Sequence, residues 1–244
     1  MIRTQDISRP AKVVEVNPFS SGGYTGQMIK YDLDGRVYEM ARIDGADFAE
    51  ERRRQARMPY NNTAEDFRWD LYHQPLEKQK KIVNSFVMAY ADWSLQGRGL
   101  YICSETPGSG KTFLACCVAN EIINRYSVVV KFVTSTDYIA MLRDRDEEAK
   151  AMREASLLIF DDIGAQGEGQ EWIRDAIFRL IDWRYRTVLP TIYTSNLPIR
   201  GATKSDRTMS RIYETAIEVK LPEQSVREML ADRHWGEFLR GISA

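Results

Sequence analysis

The chemistry most plainly written in this chain lies at Pro107-Gly108-Ser109-Gly110-Lys111-Thr112. These residues stand between an apolar run at 99–103 and a second at 113–119, Phe-Leu-Ala-Cys-Cys-Val-Ala, which reads as the start of a helix. A strand, a glycine loop and a helix start form a cradle for polyphosphate. The glycines let backbone N–H groups turn inward, and the anion meets the positive end of the helix dipole. Lys111 would reach the β- and γ-phosphates, and the Thr112 hydroxyl would ligate Mg²⁺. The full pattern G-x-x-x-x-G-K-[ST] asks for glycine at 105, where this chain has Glu105.

Two later segments supply partners for that loop. Residues 156–164, Ser-Leu-Leu-Ile-Phe-Asp-Asp-Ile-Gly, read as a buried strand ending in two carboxylates. Ligands bind beyond the carboxyl ends of such strands. Asp161 would therefore hold the Mg²⁺ shell, and Asp162 would face the γ-phosphate and orient a water as general base. Residues 189–196, Leu-Pro-Thr-Ile-Tyr-Thr-Ser-Asn, form another short strand ending in an amide, so that Asn196 could position the attacking water. Taken alone, a Ser-Asn pair after a strand is an ordinary turn, and the series gives it meaning.

The elements that must position these groups alternate. Strands are expected at 99–103, 128–133, 157–161, 191–194 and 216–220. Helices are expected at 111–125, 137–143, 146–154, 170–187, 206–213 and 224–240. Five strands alternating with helices predict an α/β fold with a parallel sheet covered on both faces. Ahead of them, Pro75 opens a helix predicted to run to about 96, with Ile82, Val83, Phe86, Val87, Tyr90 and Trp93 as a core stripe. The first part of the chain differs. Residues 11–16 read as a strand, and 24–32 with 36–42 alternate around Asp34-Gly35 as a hairpin. A helix at 46–57 carries the basic run Arg52-Arg53-Arg54-Gln55-Ala56-Arg57, either a solvated face or a contact to phosphates or an acidic partner. The division expected is an adaptor segment at 1–57, a linker at 58–74 and a core at 75–244.

Composition sets the bounds. The chain has 244 residues, 43% hydrophobic and 28% charged. It reads as a soluble, cytoplasmic protein with one α/β core plus an appendage, and without a membrane span or an apolar leader. Lys and Arg number 34 against 35 Asp and Glu, so any nucleic-acid contact must be a local patch. Cys116 and Cys117 are adjacent on a helix and point in different directions. They read, with Cys103, as small core residues and not as a zinc site. His73 and His234 read as surface residues.

From about residue 60 to 230 the chain resembles the AAA+ ATPases of the DnaC/DnaI helicase-loader and IstB transposition-helper group. The residues that carry this are Pro-Gly-Ser-Gly-Lys-Thr-Phe-Leu-Ala (107–115), Leu-Leu-Ile-Phe-Asp-Asp-Ile-Gly (157–164) and Pro-Thr-Ile-Tyr-Thr-Ser-Asn (190–196). To these are added Asp-Arg-Thr-Met-Ser-Arg-Ile (206–212) and Val-Lys-Leu-Pro-Glu-Gln-Ser-Val-Arg (219–227). The resemblance implies strand order 5-1-4-3-2, an oligomer of the chain with ATP at subunit interfaces, and single-stranded DNA in a central channel. It implies a nucleotide-binding set of Pro107, Gly108, Ser109, Gly110, Lys111, Thr112, Phe113 and Arg227, the last as a nucleotide sensor. Arg211 would be the arginine finger acting in trans, with Arg207 as its competitor. DNA contacts are implied after the second strand, at Tyr138, Arg143 and Arg145. There an aromatic ring can stack on a base and arginines can track phosphates, although Tyr138 reads equally well as a core residue of a short helix. The activity implied is loading of a replicative hexameric DNA helicase, powered by slow ATP hydrolysis. Asp162 stands where many AAA+ proteins have the longer Glu. The alternatives are an IstB-like transposition helper and an ATP-gated binding module with negligible turnover.

Overall fold

The computed structural model describes residues 12–21, 24–33, 35–43, 46–126, 128–144, 146–164, 171–201 and 206–242. Near the N-terminus, β1 (Lys12–Ser21), β2 (Tyr24–Leu33) and β3 (Arg36–Ile43) form an antiparallel sheet in chain order. Period-two alternation gives the sheet two different faces. Ile29 and Tyr31 pack with Ala91. The intervening Lys30 lies 2.7 Å from Glu15 and 3.5 Å from Glu39. The hairpin expected at 24–42 is present, and the register shift between Val13 and Glu15 marks a bulge in β1.

Helix α1 (Ala46–Ala56) buries Ala49 and Ala56 in the main core. Its basic run is divided by the burial of one face. Arg52 is buried and donates to Ile123 O at 2.7 Å, and Arg53 bonds Asn124, whereas Arg54 and Arg57 are exposed. Residues 58–74 do not behave as a tether. Phe67 and Tyr72 are buried in the same cluster as Leu100 and Leu114. Of the interspersed aromatics, Phe67 and Tyr72 are core side chains, Trp69 packs against them partly buried, and Tyr60 is exposed. The helix expected to run to about 96 is two helices, α2 (Glu77–Met88) and α3 (Tyr90–Leu95), broken at Ala89 (φ −113°, ψ 30°). The break lets Tyr90 enter the core, edge-on to Phe86, and donate to Ser156 O at 3.2 Å.

The five-stranded sheet comprises β4 (Gly99–Cys103), β5 (Val130–Thr134), β6 (Leu157–Asp161), β7 (Thr191–Ser195) and β8 (Ala216–Lys220). All pairs are parallel, in the order β5-β6-β7-β4-β8. Numbered within this sheet and read from its β8 edge, that is 5-1-4-3-2, the order the resemblance implied. The central strands β4, β6 and β7 are buried throughout, and the edge strands β5 and β8 only in part. Alternation along the strands builds two cores. Leu100, Ile102, Leu157, Ile159 and Ile192 meet α2 and α4 (Lys111–Arg125) on one face. Tyr101, Leu158, Phe160 and Tyr193 face the other way. That second side is covered by α5 (Ser135–Asp144), α6 (Asp146–Glu154), α7 (Glu171–Arg186) and α8 (Asp206–Thr215). Each fully buried aliphatic side chain contributes about 1.5–3 kcal/mol, and this makes the sheet a rigid base for its loops. The last helix, α9 (Val226–Ile242), follows β8.

Arg184 shows how α7 is fixed in place. Its guanidinium is 1% exposed and meets carbonyls: Pro190 O at 2.6 Å, Arg153 O and Ala155 O at 2.9 Å, Met152 O at 3.2 Å. Its Nε donates to Thr191 Oγ1 at 2.8 Å. Burial pushes its pKa down to about 10. It therefore remains charged at neutral pH, with carbonyl dipoles in place of a carboxylate.

Candidate nucleotide site

A cleft of about 560 Å³ opens at the carboxyl ends of β4, β6 and β7. Residues 107–113 line it together with Asp161, Asp162, Thr194, Asn196 and Arg227. The loop turns on Gly108 (φ +76°) and Gly110 (φ +92°), backbone conformations that a side chain strains. Space also forbids one: a Cβ at Gly110 would meet the Tyr72 hydroxyl at 2.9 Å, and one at Gly108 would meet Arg227 Cβ at 3.0 Å. The loop is thus gripped from outside. Tyr72 donates from its hydroxyl to Ser109 O at 2.6 Å, and Arg227 N–H donates to Gly108 O at 3.1 Å. Glu105, in the place of the usual glycine, is exposed and is not among the residues with positive φ, so the loop closes without a left-handed turn there.

Lys111, the first residue of α4, is buried. Its Nζ donates to Ser104 O and Thr106 O at 3.1 Å each and to Ser109 Oγ at 3.2 Å. Burial lowers its pKa, and the nearby carboxylates of Asp162 and Glu223 oppose that shift.

Asp161 ends β6 and is 7% exposed. Its Oδ1 accepts from Thr112 Oγ1 at 2.9 Å and from Thr194 Oγ1 at 2.6 Å. Burial raises its pKa, and those two hydrogen bonds offset part of the rise. A carboxylate and a hydroxyl in contact are hard oxygen donors of the kind Mg²⁺ takes, so Thr112 and Asp161 fit the ion that accompanies a bound triphosphate. Asp162 has φ +58°, a conformation that Asp tolerates better than most residues. Three bonds hold it there. Its N–H donates to Thr194 Oγ1 at 2.8 Å, its carbonyl accepts from Ser135 Oγ at 2.9 Å, and Asn196 Nδ2 lies 3.4 Å from its Oδ1. The cleft also has an apolar lining of Tyr60, Phe113, Val226 and Leu230, and the Tyr60 and Phe113 rings meet edge to face at 5.2 Å. The lining thus combines charged and polar groups with apolar and aromatic ones, which suits a phosphate chain carrying a planar base.

The expected residues Pro107 to Phe113, Asp161, Asp162, Asn196 and Arg227 thus share one cleft. Arg211 does not line it. It lies on α8 over the Tyr185 ring at 4.3 Å, with Nε 3.3 Å from Asp182 Oδ1, and Arg207 lies over Phe178 at 4.8 Å. The DNA-contact set requires a correction. Tyr138 is 2% exposed and packs edge-on to Phe160, so it serves the core and offers no face to a base. Arg143 is exposed and sits 5.4 Å from the centroid of the half-exposed Trp172, and Arg145 lies outside the described residues.

Thr194, Tyr72 and Glu223 went unassigned in the sequence. Thr194 had a signal, as a hydroxyl near the carboxyl end of an apolar strand. The other two had none, being 37 and 117 residues from the loop atoms they bond. All three cysteines are buried, and burial raises their thiols to about 12, which leaves them inert at neutral pH.

The family model for the IstB-like ATP binding protein matches residues 39–216. The chain belongs to this family. Its five-stranded core has the AAA+ P-loop fold. Among curated relatives, the replicative helicase loader DnaI of Bacillus subtilis is 27% identical over 167 residues, 59% of this chain and 52% of DnaI. The replicative helicase loader DnaC of Escherichia coli K12 is 28% identical over 122 residues, 46% of this chain and 49% of DnaC. This IstB-like chain therefore spans about half the length of the curated relatives it matches. The crystal structure of DnaI aligns with a TM-score of 0.57 at 25% identity, over 71% of this chain and 92% of that one. Among the described residues, no helix is long and apolar enough to cross a membrane.

Proposed function

We propose that this chain is an ATP-dependent loader of a replicative DNA helicase onto single-stranded DNA, switching by ATP binding and slow hydrolysis at interfaces between copies of itself. One observation carries the reading. The phosphate loop, the Asp161–Asp162 pair and Asn196 converge on one cleft, in a chain related to the replicative helicase loaders DnaI and DnaC.

The chemistry follows from the residues. Lys111 turns from the loop carbonyls to the β- and γ-phosphates. Thr112 and Asp161 would hold Mg²⁺, which would neutralise phosphate charge. Asp162, steadied by Asn196, takes a proton from the attacking water as its oxygen bonds to the γ-phosphorus and the bridging oxygen leaves with ADP. The short reach of Asp makes this step slow. The N-terminal sheet is the adaptor for the helicase. It exposes Val13, Val14, Val16 and Val37, apolar surface suited to a protein partner.

The family match favours a second reading, an IstB-like transposition helper with the same cleft and a transposase as partner. Pull-down of the tagged chain from its host with ATP present separates the two. Recovery of a hexameric helicase supports the loader, and recovery of a transposase without helicase overturns it. Phosphate release at or below the uncatalysed rate would leave a binding module gated by ATP alone.

A further inference from the structure

Residues 104–106 join β4 to the phosphate loop and are held from two sides. Inside the loop, Lys111 Nζ donates to the carbonyls of Ser104 and Thr106. Outside it, Glu223 Oε2 accepts from the Thr106 backbone N–H at 2.8 Å and from Thr106 Oγ1 at 3.1 Å. The Ser104 hydroxyl lies 3.1 Å from the same oxygen and 3.1 Å from Pro222 O. Lys220 Nζ stands 3.6 Å from Glu223 Oε1. Burial alone would raise the Glu223 carboxyl. The bonds from Thr106 and Ser104, with the Lys220 charge, outweigh it and hold the group below the usual carboxylate range, so it is ionised at neutral pH.

The turn that carries Glu223 is itself fixed. Leu221 N–H donates to Cys103 O at 2.8 Å. Gln224 donates to Leu71 O at 2.8 Å and accepts from His73 N–H at 3.1 Å, on either side of the Tyr72 that grips Ser109. Residues 221–224 therefore brace the phosphate loop at both ends.

Lys111 Nζ has three N–H donors, and all three go to the loop, to Ser104 O, Thr106 O and Ser109 Oγ. To donate to both a β- and a γ-phosphate oxygen it must give up two of these partners, so the inner hold on residues 104–106 weakens as polyphosphate enters. We propose that Glu223 is a positioning residue for the nucleotide: through Thr106 it keeps the leading arm of the phosphate loop in its binding form when Lys111 turns to the phosphates. This rests on the nucleotide reading of the cleft. A carboxylate beside a polyanion site opposes binding unless its charge is matched, and Lys220 with the surrounding donors matches it.

The test uses the full chain. The ATP dissociation constant, and KM and kcat under turnover, are measured for the wild type, Glu223→Gln, Glu223→Ala and Glu223→Asp, with Lys111→Ala in parallel. Loss of a charge-assisted bond predicts that Glu223→Ala raises Kd and KM about tenfold. With kcat held within about twofold at saturation, the defect is one of binding and not of chemistry. Glu223→Gln keeps an acceptor for the Thr106 N–H and recovers most of the loss. Glu223→Asp keeps the charge but is one methylene short, and behaves like Ala; it carries the same prediction if Glu223→Ala does not fold. Wild-type KM in folded Glu223→Ala, or Glu223→Gln no better than Ala, overturns the proposal. Unchanged ATP affinity in Lys111→Ala would instead overturn the nucleotide reading itself.

Discussion

The Thr194 hydroxyl lies 2.6 Å from Asp161 Oδ1, the shortest link between β7 and the carboxylate that ends β6. The same oxygen accepts the Asp162 N–H at 2.8 Å, so one side chain sets both acids. Thr194→Val keeps the shape, removes a donor from Asp161 and leaves the part-buried Asp162 N–H without that acceptor. It should cost about 1–3 kcal/mol of stability, readable in denaturant unfolding, together with most of the ATP turnover. An unchanged midpoint would mean that Asp162 keeps its left-handed backbone without Thr194.

The Mg²⁺-binding role proposed for Asp161 would set function against stability. Burial raises its pKa, so the folded chain holds that proton more tightly than the unfolded chain. Its contribution to stability is therefore greatest in acid and declines as pH rises from the ordinary carboxylate value through the raised one. Asp161→Asn still accepts from Thr112 and Thr194 without the buried charge. At neutral pH it should melt at a higher temperature than the wild type when no nucleotide is added, and the gap should close on acidification. Its Mg²⁺-dependent gain in ATP affinity should vanish. A lower melting temperature at neutral pH would show that the charge stabilises the site.

Local signals carried far in this chain. Glycine spacing between two apolar runs placed the strand, the loop turned on Gly108 and Gly110 and the helix start at Lys111, and the expected bounds 157–161 and 216–220 are those of β6 and β8. Alternation also announced the hairpin. What stayed illegible was tertiary. Nothing local in residues 58–74 marks Tyr72 as the residue that bonds Ser109, since the contact spans 37 positions. At Tyr138 the helical spacing with Leu142 suits a core stripe or an exposed ring equally, and only the packing against Phe160 decides. Ala89 breaks its helix with no glycine or proline to announce it, because burial of Tyr90 outweighs helix continuity.

The role proposed for Asp162 is separable from that proposed for Asp161. Asn tolerates the left-handed backbone at 162, so Asp162→Asn should fold and bind ATP as the wild type does. Removing a general base typically costs about 10²–10⁴-fold, and turnover should fall accordingly. Phosphate release at the wild-type rate would place the base elsewhere.

Arg211 does not line the cleft of its own chain, as a residue acting on a neighbour requires. It stacks on Tyr185 and pairs with Asp182, and its side chain remains one-third exposed. Arg211→Ala subunits keep an intact phosphate loop, and Lys111→Ala subunits keep an intact Arg211. Mixing the two should restore part of the ATPase lost by each. Activity no higher than that of the separate variants, in confirmed mixed oligomers, would remove Arg211 from the reaction and leave Arg207 to be tried.

Single-stranded DNA binding now has a different aromatic candidate. Tyr138 is closed off in the core, but Arg143 lies over Trp172, which is 41% exposed at the start of α7. A ring backed by a guanidinium stacks on bases without regard to sequence, at about 1–3 kcal/mol per base, and the arginine adds a phosphate contact. The two substitutions should therefore separate. Trp172→Ala should weaken binding of single-stranded DNA about tenfold or more and leave its salt dependence in place. Arg143→Ala should weaken binding and reduce the slope of log affinity against log salt by about 0.7, one phosphate contact on a single strand. Tyr138→Phe, which keeps the core ring, should change neither. Fluorescence anisotropy with a labelled oligonucleotide at several salt concentrations reads all three. Wild-type affinity and slope in both Trp172→Ala and Arg143→Ala would move the DNA site to the exposed Arg54 and Arg57 of the basic run.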